Sequence, residues 1–155
     1  MAIINIEKLE QMKRENEIQR GIQKTAFAMW VDGVNNRVKS LLPSLMDIID
    51  TFSYFVRNRL DLSVFSIEGN HFSINRESKS VSKGVARHVC AHCNASTGKV
   101  WINTYFGGCI DYLSLYNESH ARKVYNKPEM RGLVESFVVD LEQYCAIVTD
   151  RLNNL

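Results

Sequence analysis

Lys99-Val100-Trp101-Ile102-Asn103-Thr104-Tyr105-Phe106, closed by Gly107-Gly108, is the stretch that decides the fold. It is rich in β-branched and aromatic residues and reads as a strand, and the glycine pair ends it. A strand here, between two long helical patterns, makes the chain an α+β protein rather than a helical bundle.

Working upstream, Asn94-Ala95-Ser96-Thr97-Gly98 reads as a turn and Gly84 to Cys90 as another strand. Asn75 to Lys83 is polar and reads as a loop. Leu62-Ser63-Val64-Phe65-Ser66-Ile67 and His71-Phe72-Ser73-Ile74 flank Gly69-Asn70, a two-residue turn signal, and are expected to pair as a hairpin. The sheet is therefore expected over about residues 62–106. Downstream, Cys109 to Tyr116 fits strand or helix, and Glu118 to Tyr125 reads as a short helix capped by Asn117.

Helical patterns occupy both ends. Ile6 to about Lys24 holds strong helix formers, with Asn5 as a cap and Glu10/Arg14 and Lys13/Glu17 at the spacing of supporting pairs. Between Lys13 and Arg20 the only apolar residue is Ile18, so this part is read as a projecting helix. Ile22, Ala26, Met29 and Gly33 then make one stripe, and Phe27, Trp30, Val34, Val38 and Leu41 a second, which predicts a helix sandwiched between layers. Gly33 and Asn35-Asn36 are expected breaks, and Pro43 is expected to open a new helix. That helix carries Leu45, Ile49, Phe52, Val56 and Leu60. Pro128 opens the last helix, where Met130, Leu133, Val134, Phe137, Leu141, Tyr144, Val148 and Leu152 keep helical spacing. The expectation is one domain over residues 1–155: helices over 1–60, a small antiparallel sheet region over 61–116, and over 117–155 a C-terminal helix packed on the sheet.

The formal net charge of +2 does not by itself imply nucleic acid. The distribution is uneven. Arg57 to Lys99 holds seven Lys/Arg, three Asp/Glu and three His, whereas Pro128 to Leu155 holds five Asp/Glu and two Arg. These two regions either meet each other or leave an anion site at the centre. Arg76, Lys83, Arg87, His88, His92 and Lys99 are the candidate ligand-binding residues. Bases interleaved with Phe72, Trp101 and Tyr105 would suit a small anionic ligand or single-stranded nucleic acid, and burial of those aromatics under helices is the competing reading.

Cys90 and Cys93 have the C-x-x-C spacing of a zinc knuckle, and Cys109 follows sixteen positions after Cys93. A second C-x-x-C is missing, so zinc is the cofactor considered and its ligand set stays incomplete: His88, His92, Cys109 and His120 could fill the remaining positions, and nothing selects among them. Ser96-Thr97-Gly98-Lys99 lacks the upstream glycine spacing of a phosphate loop, and no nucleophile elbow or isolated carboxylate pair occurs. Without about 18 consecutive apolar residues or the features of a signal peptide, the chain is expected to be cytoplasmic, with no membrane partner.

These features favour a non-catalytic interaction protein of the inhibitor or adaptor type. It would bind another protein, or itself as a homo-oligomer through the N-terminal helix. Ile6, Leu9, Met12, Ile18 and Ile22 do not sustain heptads, so a short helical contact is expected rather than a long coiled coil. The alternatives are binding of an anion or nucleic acid through the basic sheet region, and an enzyme whose site converges without a local motif.

Overall fold

The computed structural model describes residues 5–155. Residues 1–4, part of the N-terminus expected to lack the features of a signal peptide, lie outside them. The first element, α1, runs unbroken over Ile6–Arg57, 52 residues or about 78 Å. Asn5 caps it, its Oδ1 accepting from the Lys8 amide at 3.1 Å. The expected breaks at Gly33 and Asn35-Asn36 are absent, and Pro43 lies inside the helix instead of opening a new one.

The reason is packing. Val34, Val38, Leu45, Ile48 and Ile49 are buried on one stripe that passes Pro43 without changing face. Burying each such side chain stabilises by about 1.5–3 kcal/mol. Together they outweigh the roughly 3 kcal/mol that a proline costs a helix interior. The other stripe, expected to be sandwiched, faces solvent: Ile22 is 56% and Met29 70% exposed.

Helix α1 ends with Arg59 at φ 55°, the Arg59 amide donating to the Val56 carbonyl and the Leu60 amide to the Phe55 carbonyl. Leu62–Phe65, expected to be a strand, is a 3-10 turn. Asp61 imposes it: Oδ1 accepts from the Ser63 amide and Oδ2 from the Ser63 hydroxyl, both at 3.0 Å. Phe65 then inserts edge-on between Phe52 and Phe55, each with its ring centroid 5.2 Å away. Of the expected hairpin only an isolated bridge, Ile67 to Asn70, remains.

The sheet is an antiparallel meander in the order β1-β2-β3-β4-β5: β1 Ser73–Asn75, β2 Ser80–Ala86, β3 Val89–Asn94, β4 Val100–Phe106 and β5 Cys109–Ser114. It spans residues 73–114 rather than 62–106. The stretch expected as a loop contains the start of β2, and the region read as one strand, Gly84 to Cys90, turns at Arg87-His88. Gly107 and Gly108 do not merely end β4. Both have positive φ, 55° and 80°, and form the tight turn into β5.

Helix α2, Glu118–Tyr125, is capped as expected by Asn117, whose Oδ1 accepts from the His120 amide at 3.1 Å. Helix α3, Pro128–Asn153, packs along α1 and against the sheet. Its Val134, Phe137, Val138, Leu141, Tyr144 and Val148 are buried with Val81, Val100 and Ile102 of the sheet. The Tyr144 hydroxyl is satisfied by the Phe65 carbonyl at 2.8 Å. Lys83 and Asp140 pair across the seam between sheet and α3, and Arg37 pairs with Glu142. The basic centre and acidic last helix thus meet at one ion pair. Among the described residues no helix is long and apolar enough to cross a membrane.

Because Pro43 interrupts a continuous, solvent-facing helix surface, Pro43→Ala should restore the amide bond to the Lys39 carbonyl. Thermal unfolding should show a gain of about 1–3 kcal/mol. If Pro43 were instead at a helix start, the substitution would leave the midpoint unchanged or lower it.

Candidate functional site

Strand alternation divides the sheet chemically. On one face, Val81, Val89, Ala91, Cys93, Val100 and Ile102 are buried in the core shared with the helices. The register sets Ser73, Ser82, His92, Trp101 and Ser114 opposite one another in a single cross-strand row on the other face. The next row is Gly84, Cys90, Asn103 and Tyr112. No Asp or Glu occupies a strand position on this open face; the one strand carboxylate, Asp111, pairs with Thr104 on the other side.

The rings on the open face touch. His92 and Trp101 stack at 4.9 Å with planes 9° apart. Trp101 and Tyr112 lie 6.3 Å apart, and Tyr112 meets His120 edge-on at 6.3 Å. The Lys99 ammonium lies 4.9 Å from the Tyr112 ring centre and 5.9 Å from that of Trp101. Asn103 Nδ2 is 3.2 Å from His92 Nε2 and donates to the Tyr105 hydroxyl at 3.5 Å, while its Oδ1 is buried without a partner. Burial lowers the pKa of His92, so the imidazole in the stack is neutral at pH 7. His120 Nδ1 accepts from the Ser114 amide at 3.3 Å, which ties α2 to the sheet edge.

The sequence candidates are distributed unevenly over this geometry. His92 and Lys99 are on the open face. Arg87 and His88 form the turn at one end of the sheet, with His88 in the left-handed region. Arg87 also borders a cleft of about 770 Å³ with Thr104, Phe106 and Met130. Arg76 follows β1 at the opposite end and borders a cleft of about 580 Å³ with Asp50, Arg57 and Lys79. Lys83 lies apart from them. It points to the helical side, is only 17% exposed, pairs with Asp140 and lies 5.8 Å from the Phe72 ring centre. Phe72 is likewise on the core side, against Phe137 and Tyr144.

Cys90 and Cys93 are three residues apart on β3, so alternation sends them to opposite faces. Cys90 is half-buried in the open face and Cys93 fully buried in the core. Cys109 is exposed at the turn between β4 and β5. The strand thereby separates the two thiols that a knuckle would hold on one ion. The Ser96–Lys99 turn satisfies its own amides: Asn94 Oδ1 accepts from Ser96 and Thr97 at 2.8 and 3.0 Å, and Thr97 Oγ1 accepts from Lys99 at 3.2 Å. Those donors are spent, so the turn offers no amide cradle for phosphate. Gly98 is required there, with φ 75° and a would-be Cβ only 3.1 Å from the Tyr116 hydroxyl.

Tyr112 and Asn103 are not among the sequence candidates, and His120 enters there only as a possible zinc ligand. The signal for Tyr112 was present as period-two alternation: Ile110, Tyr112 and Ser114 against Asp111, Leu113 and Leu115. Asn103 becomes visible only through register, and the docking of α2 places His120 against Tyr112 and the Ser114 amide.

Burial pushes the Cys93 and Cys145 thiols up to about 12, leaving almost no thiolate at pH 8. In the native protein iodoacetamide should therefore modify Cys109 first and spare Cys93 and Cys145, as read by peptide mass spectrometry. Early labelling of Cys93 would show that β3 does not hold this register.

No protein-family model matches the chain, and comparisons with curated proteins and with solved structures return no match.

Proposed function

We propose that this chain is a non-catalytic interaction protein that self-associates through the first half of α1. The observation supporting this reading is that 22 consecutive residues, Asn5–Ala26, are exposed on every side of the helix. This arm is about 32 Å long. It presents Ile6, Leu9, Met12, Ile18 and Ile22 to water, each more than half exposed. An unsupported helix of this length is marginal in water, and Gly21 inside the arm weakens it by about 1 kcal/mol relative to alanine. Covering the apolar residues with another helix supplies the missing stability.

Charge favours a second copy as that helix. Glu7, Lys8 and Glu10 at the start of the arm sum to −1, and Arg20 and Lys24 near its base sum to +2. Two arms laid antiparallel bring these opposite ends together. The apolar residues fall on two sides of the helix: Ile6 and Leu9 share the side of Phe27, while Ile18, Ile22 and Met29 lie about half a turn away. That pattern suits a short crossing contact or a pair of contacts better than a long two-stranded seam.

Light scattering of the whole chain should give the mass of a dimer or higher oligomer, falling to that of a monomer when residues 1–26 are removed. Ile18→Lys with Ile22→Lys should shift the equilibrium the same way without lowering the melting temperature of the core. A monomeric mass for the whole chain at high micromolar concentration would rule out self-association through this helix.

A further inference from the structure

We infer that the open face of the sheet is a binding site for single-stranded nucleic acid, with bases on the His92–Trp101–Tyr112 rings and phosphates on Lys99. The inference is independent of the helical arm and rests on three observations about that face. The first is the ring cluster itself, His92 and Trp101 in one cross-strand row and Tyr112 diagonal to Trp101 in the next. Three neighbouring strands each contribute one ring, at centroid spacings of 4.9 and 6.3 Å. Strand spacing sets such rings at intervals suited to stacked bases.

The second is what flanks the row. Ser82 and Ser73 continue it on the His92 side, and Gly84 lies beside them with nothing within 4 Å of a would-be Cβ. These residues are too small to cover the outer plane of the imidazole. A planar ring can lie there against His92, which is itself backed by Trp101. On the other side Tyr112 is 41% exposed. The face thus offers stacking surface at both ends of a pre-assembled ring pair. The core has no use for these residues, because the helices cover the opposite face.

The third is charge. The open face has no carboxylate at a strand position, and Lys99 is held over two of its rings. Arg76 stands at the same end of the sheet as Lys99, and Arg87 at the other end. Arg76, together with Glu77, lines the rim beside Ser73, Asn75 and Ser82, and Arg87 borders the cleft toward α3, so Lys99 is the cation a polyanion meets at the rings themselves, with no carboxylate at a strand position of that face. Ser73, Asn75, Ser82, Cys90 and Asn103 make up the uncharged part of this face beside the rings, and the exposed Tyr105 and Ile110 continue it toward the β4–β5 turn. A peptide or a neutral glycan would stack on the rings but would gain little from the lysine held over them. A single strand uses both features.

The test is fluorescence anisotropy of the whole chain with a labelled oligothymidylate of about twelve nucleotides, at about 50 and 200 mM salt. Binding is expected to weaken as salt rises and to quench Trp101 emission. Trp101→Leu should raise Kd roughly fivefold or more, and Trp101→Phe should recover most of the loss. Lys99→Gln should weaken binding and lower the salt slope by about 0.7, the value for one single-strand phosphate contact. Tyr112→Ala provides a second reading if Trp101→Leu lowers the melting temperature. The inference is overturned by any of three results: no binding at the lower salt, equal affinity for a duplex of the same length, or unchanged affinity in folded Trp101→Leu and Tyr112→Ala proteins. Displacement of the strand by a mononucleotide at equal base concentration would also overturn it, since one pocket would then suffice.

Discussion

The structure depends on a mismatch of lengths. Helix α1 has 52 residues, and α3, the long helix packed along it, has 26. Only the second half of α1 can bury its apolar stripe against α3 and the sheet. The contact between Val34–Ile49 and Val134–Val148 fixes that half, draws the helix straight through Pro43, and presses the sheet's inner face into the core. What is left of α1 extends past Phe27, and Asn5–Ala26 are all exposed, the last residues before Phe27 bordering a cleft with Arg122 and Tyr125. Phe27 and Trp30, against Tyr125 at ring distances of 5.4 and 5.6 Å, mark where the domain ends and the arm begins. The Trp30 indole bonds to Glu135 at 2.9 Å, which pins the junction to α3.

The same core contact decides which sheet face is free. Helices lie on one side only, so alternation along each strand sends one set of side chains inward and leaves the other in water. On β3 and β4 this sorting is clean: Val89, Ala91, Cys93, Val100 and Ile102 are inward, and Cys90, His92, Trp101 and Asn103 outward. Outward aromatics on a half-covered sheet have to cover one another to reduce their contact with water. The His92–Trp101 stack and the neighbouring Tyr112 do so while keeping planar surface available. Lys83 shows the converse case. As the one cation on the inner side of β2, it is kept by pairing with Asp140 rather than by water.

The legible parts of this fold were those set by local chemistry. Asn117 capping α2, Pro128 opening α3, and the β-rich run up to Gly107-Gly108 are each decided within a few residues, and each stands in the structure. The misread parts were set by distant partners. Pro43 looks like a helix start until the stripe on both sides of it is seen to face the same core. Leu62–Phe65 has strand composition, but Asp61 bonding to Ser63 and the slot between Phe52 and Phe55 turn it into a 3-10 turn. Of the six basic or imidazole candidates, composition could not separate Lys83 from His92 and Lys99, because the difference is the parity of a strand position. Parity also governs the C-x-x-C pair: on a strand, a separation of three puts Cys90 and Cys93 on opposite faces.

The proposed contacts occupy different layers, and that has a physical consequence. The arm extends from the helical layer, while the ring cluster lies on the sheet's far side, so a partner on one need not displace a ligand from the other. A dimer joined through its arms would carry two open faces on one particle. A strand held by the first face would meet the second at an effective concentration set by the tether and not by the solution. A single face with three rings and few cations gives only modest affinity, since each stacked base contributes about 1–3 kcal/mol and each phosphate contact is screened by salt. Pairing through the arm would therefore raise the strength of binding without adding any residue to the site, which gives the solvated half of α1 a role that the core alone does not.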